Sequence, residues 1–261
     1  MKKTKKILLI IGISLISAGI IIAIISALAV GFDRESLGLD TAKTNNYVYT
    51  EEVKSIDIES AQSDIYISKS EDNSVKIEIF ESTRLLHNVS LANSNLTISL
   101  KNKTVNLSGI SNLKREIHLA IPENDYAKLK VKNVSGKVSV IGHSINNLDF
   151  DLVSSDLELK NIKGSNGNIK TVSGNIDLDN VLLNDSIIIN TVSGDSNIAN
   201  FDSKSISLES VSGSFNLQLR TNKNYDLKTV GGNITKPAAQ AENGSCYIKT
   251  VSGDIIISLM K

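Results

Sequence analysis

The chain contains 261 residues, with 28 basic and 28 acidic side chains, one cysteine, two prolines and 16 glycines. The balanced charge argues against nucleic-acid binding, which needs a basic surface, and a single cysteine excludes an intrachain disulfide. The low proline and glycine content excludes collagen-like and proline-rich sequences. The chain must therefore fold by packing a core.

The first thirty residues form a segment of their own. Four lysines lie within residues 2–6, and the run from Ile7 to Val30 carries no charge. About 20 apolar residues are enough for a helix to span a bilayer, and positive charge beside a span stays in the cytoplasm. We therefore predict that residues 1–30 form a cytoplasmic lysine-rich tip and a single transmembrane helix, with the rest of the chain outside the cytoplasm. A cleaved signal peptide is the alternative, since Ala27 to Ala29 resembles a cleavage site, but signal sequences have apolar runs of only roughly 7–15 residues.

Residues 31–46 are predicted to be a polar linker, and residues 47–130 an irregular β-strand region. Segments such as "SIDIES", "DIYISKS" and "NLTISL" alternate apolar and polar residues, which is typical of strands with one buried face. They lack the motif that recurs later in the chain. We interpret them as a β-strand cap, or as the first and less regular rungs of a repeat, because the end of a repeat array needs covering.

One motif recurs through the second half of the chain. It reads VSG in five copies, VSS in one and VGG in another, and successive copies lie 19–21 residues apart. The first residues of the copies are Val134, Val153, Val172, Val192, Val211, Val230 and Val251. Apolar residues stand mostly five and three positions before the valine and four and six positions after it. Each copy is therefore predicted to join two short strands.

A repeat of this length and composition favours one architecture. A propeller blade needs about 40 residues, and helical repeats do not show this alternation. We predict an all-β fold in which residues 131–261 form a parallel β-solenoid (β-helix) of rungs about 19–21 residues long, stacked in chain order. The last strand, within "DIIISLMK", would then leave an exposed edge at the C-terminal end.

The motif is interpreted as a corner between the two strands of a rung. The apolar alternation slips by one residue across it, which a straight strand cannot do without turning its apolar face to solvent. We expect the valine to pack inside, and the glycine to bend the chain because positive φ costs it little. The asparagine or aspartate that often follows also tolerates bends. The predicted structural turn residues are Val134, Gly136, Val172, Gly174, Val192, Gly194, Val211, Gly213, Val230, Gly232, Val251 and Gly253.

At this point the chain resembles a known group of proteins. A lysine-rich start, one apolar span and recurrent "TVSGD/N-I" units are similar to bacterial envelope proteins of the "putative adhesin" family, including the LiaG-like proteins. The resemblance covers roughly residues 47–261. It implies an extracytoplasmic β-repeat domain, linked in some members to envelope stress, with no established activity and no catalytic residues to transfer.

No side chain is predicted to be catalytic, to bind a cofactor or to hold a metal. Catalysis needs one serine with a particular base, whereas the motif serines are a column of equivalents, and the G-x-S-x-G pattern of hydrolases is absent. His87, His118 and His143 show no metal-ligand spacing, and we expect them at the surface. The aspartates and asparagines after the glycines could suggest calcium, but the nine-residue calcium repeat is missing. Cys246 is expected to be a buried, inert thiol.

These features predict a membrane-anchored, extracytoplasmic, non-enzymatic binding module of the bacterial cell envelope. The expected partners are the membrane, through the single span, and a cell-wall component or envelope protein that the sequence does not identify. A polysaccharide-processing β-helix enzyme is the main alternative, although the chain has no tryptophan and only 4% aromatic residues. A third possibility is an ice- or crystal-binding face formed by Thr171, Thr191, Ser210, Thr229 and Thr250.

Overall fold

The computed structural model describes residues 41–83, 85–101, 113–239 and 243–261. The chain divides into two units, Met1–Thr41 and Ala42–Lys261. The predicted lysine-rich tip, the transmembrane helix and most of the linker lie outside the described residues. In the part that is described, no helix has the length and apolar character needed to cross a membrane.

Sixteen strands lie in one extended sheet system, so the prediction of an all-β fold is confirmed. The strands are β1 (Ala42–Tyr49), β2 (Ser55–Glu59), β3 (Asp64–Lys69), β4 (Val75–Ser82), β5 (His87–Ala92), β6 (Asn95–Leu100), β7 (Glu116–Ile121), β8 (Asp125–Ile141), β9 (Ser144–Ser173), β10 (Ile176–Ser193), β11 (Ser196–Glu209), β12 (Phe215–Leu219), β13 (Asn224–Lys228), β14 (Ile234–Thr235), β15 (Ser245–Lys249) and β16 (Ile255–Leu259).

The repeats of the sequence pair side by side. β8, β9, β10 and β11 are parallel neighbours, and paired residues lie 19 or 20 positions apart, as in Leu157 with Ile176 and Ile176 with Ser196. The alternating apolar residues all face inward and form one continuous core. We call the two strands that flank one copy of the motif a rung, named after the valine of that copy.

An additional rung lies within residues 47–130, the region interpreted as an irregular cap or as the first, less regular rungs. β2 and β3 pair in parallel with the two halves of β8, with Ile56 opposite Leu129 and Ile65 opposite Val138. Residues 55–67 therefore repeat the rung without its V-S-G sequence, and Ser63 occupies the position of the motif glycine. The signal was present in the sequence, because the alternation of "SIDIESAQSDIYI" also slips by one residue at its centre.

Towards the N-terminal end of the described unit, the pairing of the strands changes from parallel to antiparallel. β6 and β7 still pair in parallel with β2 and β3. β5 and β4 then pair antiparallel with β6 and β7, and β1 pairs antiparallel with β4. An antiparallel segment can follow its neighbour through a short turn, whereas a parallel one needs a long connection.

At the C-terminal end the rungs do not follow chain order, which corrects the predicted stacking. β15 pairs with both β11 and β13, and β16 pairs with both β12 and β14. The last rung of the sequence is thus inserted between the rungs of Val211 and Val230. Its inward residues Cys246 and Ile248 are fully buried, whereas Tyr225 and Leu227 of the outer rung are only partly buried. The exposed sheet edge, predicted for the last strand, is formed instead by β13 and β14.

Candidate functional site

The corner motif is built differently from the prediction, because its valines point outward. Val192 is 48% exposed and Val230 is 86% exposed. The buried residue at each corner is the one before the valine, such as Thr191 with 6% exposure. This position continues the inward alternation of the residues three and five positions before the valine. The expectation that the motif valines pack inside is therefore wrong.

Several of the buried residues before the valines stabilise the turn that follows them. The hydroxyl group of Thr191 donates to the carbonyl oxygen of Ser193 at 3.0 Å, and the side-chain amide of Asn133 donates to that of Ser135 at 2.9 Å. The buried members of this column are Asn133, Leu152, Thr171, Thr191, Ser210 and Thr250. A buried column cannot meet an ice or mineral surface, so the third possibility considered from the sequence is excluded for these residues.

The corner requires glycine for two reasons, the bend of the backbone and the close approach of the neighbouring rung. Gly194 has φ +116°, and a Cβ atom built on it would lie 2.3 Å from the carbonyl oxygen of Gly174. No side chain fits such a distance, and left-handed backbone favours glycine. The glycine column thus allows the corners of successive rungs to approach each other.

The position after the glycine joins one rung to the next. The side-chain oxygen of each acceptor binds the backbone N–H of the equivalent residue on the next rung, at 2.7–3.2 Å. In spatial order the column is Asp64, Lys137, Asp156, Asn175, Asp195, Ser214, Asp254 and Asn233, with the series interrupted after Lys137. These carboxylates cap backbone donors. Among the described residues, no group of three or more His, Cys, Asp or Glu side chains could hold a metal ion.

The motif serines lie along the same corner, and none differs from the others as a nucleophile would. The hydroxyl group of Ser173 is 3.1 Å from that of Ser154, and that of Ser193 is 3.4 Å from the carbonyl oxygen of Val172. In the part of the chain that the structure describes, these hydrogen bonds lead to neighbouring rungs and not to a histidine or a carboxylate.

A second corner, which the sequence interpretation did not locate, is formed by asparagines. Asn161, Asn180 and Asn200 have φ between 52° and 56°, and left-handed backbone is several-fold more frequent for asparagine than for most residues. Their side chains form a ladder, since Asn180 donates to Asn161 at 2.6 Å and Asn200 donates to Asn180 at 3.4 Å. Arg220 ends the ladder by donating to Asn200 and Asn180. Each asparagine lies eight residues after a motif valine, so the signal was available in the sequence.

Two of the three histidines are buried, so the prediction of surface positions is wrong for them. His87 is 6% exposed and His143 is 3% exposed. His118 has a side chain that is 43% exposed and stacks on Tyr66, with 5.0 Å between the ring centroids. The difference could not be predicted from local sequence, because His87 and His118 lie in alternating strands and His143 between β8 and β9, and their burial depends on distant segments.

His87 belongs to a buried polar network at the N-terminal end of the sheet. Its Nε2 atom lies 3.0 Å from the hydroxyl group of Ser60, and its Nδ1 atom lies 3.0 Å from a carboxylate oxygen of Glu81. Glu81 also accepts from the backbone N–H of His87 at 2.7 Å and from the side chain of Asn45. Burial lowers the pKa of His87. The Glu81 carboxylate can only accept, so Nδ1 donates to it, while Nε2 faces the hydroxyl group of Ser60, which also donates to Ser63 at 2.9 Å.

This network has the hydrogen-bond order of a serine–histidine–carboxylate triad. A nucleophile must reach its substrate, however, and Ser60 is only 3% exposed. Ser60 also occupies the same corner position as Asn133, where side chains stabilise the turn. Together Asn45, Glu81 and His87 connect β1, β4 and β5 to the first parallel rung, which is a structural role.

The expectation for Cys246 is confirmed. Its side chain is unpaired and buried, with 1% exposure. Burial raises the pKa of the Cys246 thiol to about 12. The thiolate, which is the reactive form, is therefore not populated near neutral pH.

Parallel rungs with a glycine corner, an asparagine corner and an antiparallel end can be compared with known proteins. Over residues 53–261 the sequence matches the family described as Toastrack DUF4097. The chain belongs to this family. The resemblance to "putative adhesin" proteins that the repeat units indicated is thereby confirmed.

Solved structures from other bacteria are similar to this chain. One described as a putative adhesin from Bacteroides fragilis is 15% identical, with a TM-score of 0.52, and the match covers 82% of this chain and 97% of that chain. Another putative adhesin, from Parabacteroides merdae, is 14% identical with a TM-score of 0.46, covering 85% of this chain and 97% of that chain. No protein of curated function matches the chain. At such low identity the likeness to the first structure shows the fold alone.

Proposed function

We propose that this Toastrack protein is a non-enzymatic binding module on the outer side of a bacterial cell membrane, held there by the apolar segment of residues 7–30. In this proposal the parallel rungs form a β-solenoid, which presents a long and regular surface. The ligand is a repeating component of the cell wall or another envelope protein. The proposal extends the family membership and the fold, which by themselves assign no activity.

The observation that carries the proposal is an unbroken path of eleven hydrogen-bonded strands within the sixteen-stranded sheet of the described residues. Its order is β1-β4-β7-β3-β8-β9-β10-β11-β12-β16-β14. Neighbouring strands of a sheet lie about 4.7–4.9 Å apart, so equivalent outward side chains recur at that spacing. A surface with this regularity suits a polymer or an extended protein better than it suits a single small substrate.

The middle of this surface has an excess of carboxylates. Asp156, Asp177, Asp179 and Asp195 are exposed, and none of them forms an ion pair among the described residues. Glu158 is the exception, since it binds Lys137 at 2.6 Å and also Lys160. These lysines lower the pKa of Glu158 to about 2. The charge of the surface favours partners that carry ammonium groups or many hydrogen-bond donors.

The test is binding of residues 42–261, a compact unit with its own core, to isolated cell-wall and membrane fractions. Asp177→Asn combined with Asp179→Asn should weaken binding by about tenfold or more, which corresponds to roughly 1.4 kcal/mol. Asp57→Asn combined with Glu59→Gln, on β2 outside the eleven-strand path, is the matched control and should bind normally. Binding to no envelope fraction, or equal binding by all variants, would contradict the proposal.

The orientation is tested separately in intact cells. Protease added outside should digest residues 42–261, and an inward-facing domain would be fully protected. Mass spectrometry of the purified native protein distinguishes the two forms of the N-terminus. An anchor keeps residues 1–29, whereas cleavage of a signal peptide after Ala29 removes them.

A further inference from the structure

A cavity of about 690 Å³ lies beside the second corner, next to the end of β3. The residues that line it include Lys69, Glu123, Asp125, His143, Asn161 and Lys163. They belong to β3, β8, β9 and the segments between strands. No residue of the V-S-G motif lines the cavity, although β3, β8 and β9 also belong to the eleven-strand path of the proposed function.

The cavity begins where one inward column of the core ends. Ile162, Val181 and Phe201 occupy equivalent positions in three successive rungs, and each is 0% exposed. His143 occupies the same position one rung earlier, since it lies 19 residues before Ile162 and its carbonyl oxygen accepts from the N–H of Lys163. β3 ends at Lys69, whose side chain lies over Gly142. The core column therefore ends with an imidazole ring at the cavity.

The His143 side chain is buried and poorly hydrogen-bonded. The residue is 3% exposed, neither ring nitrogen makes a hydrogen bond of normal geometry among the described residues, and the ring interacts only weakly with the backbone of Ser68. Its ring contacts the edge of Tyr126, with 6.2 Å between the centroids. Buried polar groups are almost always hydrogen-bonded in native proteins. An isoleucine or valine, as in the next two rungs, would fill the position without that loss, so the histidine indicates a role in binding.

The rim of the cavity carries charges of both signs. Lys69 binds Glu123 at 2.9 Å, with both side chains largely in contact with solvent. Lys69 holds the pKa of Glu123 below its usual range, and Lys163 contributes to this lowering. Neither Lys163 nor Asp125 forms an ion pair in the described part of the chain. The cavity thus offers one unpaired ammonium group and one unpaired carboxylate.

We propose that this cavity binds a small zwitterion, an amino acid or the free end of a short peptide. The carboxylate of the ligand pairs with Lys163, its ammonium group pairs with Asp125, and the His143 ring gives the ligand a hydrogen bond in place of its weak interaction with the Ser68 backbone. A free phosphate fits less well, because Glu123 and Asp125 would repel it. This site contains none of the unpaired aspartates on which the proposed function depends, so either proposal can fail without the other.

The test uses nuclear magnetic resonance of the full described unit, residues 42–261, with dialanine as the probe. We expect a saturable shift of the His143 ring resonances. N-acetylalanine, which lacks the ammonium group, and alaninamide, which lacks the carboxylate, should bind at least tenfold more weakly. Lys163→Gln should weaken dialanine binding at least tenfold, and Lys170→Gln, a lysine on another surface, should not.

His143→Leu separates a binding role from a purely structural one. The leucine completes the apolar column, so the variant should unfold at a higher temperature while no longer binding dialanine. Dialanine that leaves the His143 resonances unmoved, equal binding by the two blocked analogues, or tight binding of phosphate would each overturn the proposal.

Discussion

Individual residues at the corner show how one position decides between core and solvent. The motif valine and the threonine before it are adjacent in sequence, yet one is about half exposed and the other is buried. Strand geometry makes successive side chains point to opposite faces. Whether a residue is buried here depends on whether it lies an even number of positions from the inward residues of its strand, and not on its hydrophobicity.

Val192→Asp should therefore be tolerated. An exposed side chain away from special features changes stability by no more than about 0.5 kcal/mol, and Ser193→Ala should have an equally small effect. Ile189→Asp is the contrast, because Ile189 is 0% exposed and a buried unpaired charge is very costly. Urea denaturation of the three variants checks this. Unfolding of Val192→Asp in the absence of denaturant would show that the valine has a core role.

The buried histidines should make stability fall as the pH decreases. Burial lowers the pKa of both His87 and His143 below 6.5 in the folded protein. Above that value both states are neutral. As pH falls through about 6.5 the unfolded chain takes up protons that the folded chain resists, so the free energy of unfolding decreases.

The slope of unfolding free energy against pH should therefore be reduced in His143→Leu and His87→Gln between about pH 6.5 and 5. Glu158 has its lowered pKa at about 2, so its stabilising contribution is lost mainly below pH 4.5 and does not interfere. Chemical denaturation across this range measures the slope. If both variants kept the slope of the wild type, the buried rings would not be its source.

At the level of strands and turns, the rungs are held together by contacts that repeat at every corner. Glycine permits the backbones to approach, the residue after it caps the next N–H, and the asparagine ladder repeats the arrangement at the second corner. Because each contact joins equivalent positions, the corners fix the register of neighbouring strands. The alternating core residues alone would allow the register of neighbouring strands to slip by two residues.

Gly194→Ala tests the glycine column. A side chain in a left-handed conformation of this kind costs about 1–3 kcal/mol, and contact with the carbonyl oxygen of Gly174 increases the cost. Gly231→Ala is the matched control, because the nearest atom to its added Cβ would be 3.6 Å away. The difference in thermal unfolding temperature between the two variants gives the result. Equal temperatures would mean that the corner relaxes without loss.

On the scale of the whole described unit, the order of the rungs differs from their order in the chain. After residues 220–223 the rung of Val230 does not pair with the rung of Val211, because the C-terminal residues 245–259 lie between them. Lys223 fixes this crossing, since its buried ammonium group binds Asp202 at 2.6 Å, Thr221 at 2.7 Å and the carbonyl oxygen of Asn243 at 2.8 Å. The rung of Val230 then covers the end of the core.

Ile248→Ala and Leu227→Ala distinguish the inserted order from simple chain order. Ile248 lies in the inserted rung with 0% exposure, so its truncation should cost about 2–5 kcal/mol. Leu227 lies in the outer rung and is only partly buried, so its truncation should cost clearly less. Stacking in chain order would give the opposite ranking, because the last rung would then be the outer one. Urea denaturation of both variants measures the costs.

Much of the architecture could be predicted from local pattern. Period-two alternation indicated strands, its even spacing indicated repeats, and the glycines indicated corners, because each of these depends on neighbouring residues only. The same reasoning could have found the additional rung at residues 55–67 and the asparagine corner. The candidate sites were less predictable, since the burial of His87 and His143 depends on strands far away in sequence.

The sequence by itself therefore determined an all-β repeat with a period of 19–21 residues and a glycine at most of the motif corners. Only the tertiary structure decided which rungs are neighbours, where the rung sequence is interrupted by an insertion, and which histidines are enclosed. The physical reason is that every rung carries similar inward residues, so alternation does not identify its partner. The choice depends on chain crossings and on the single contacts, such as those of Lys223, that hold them.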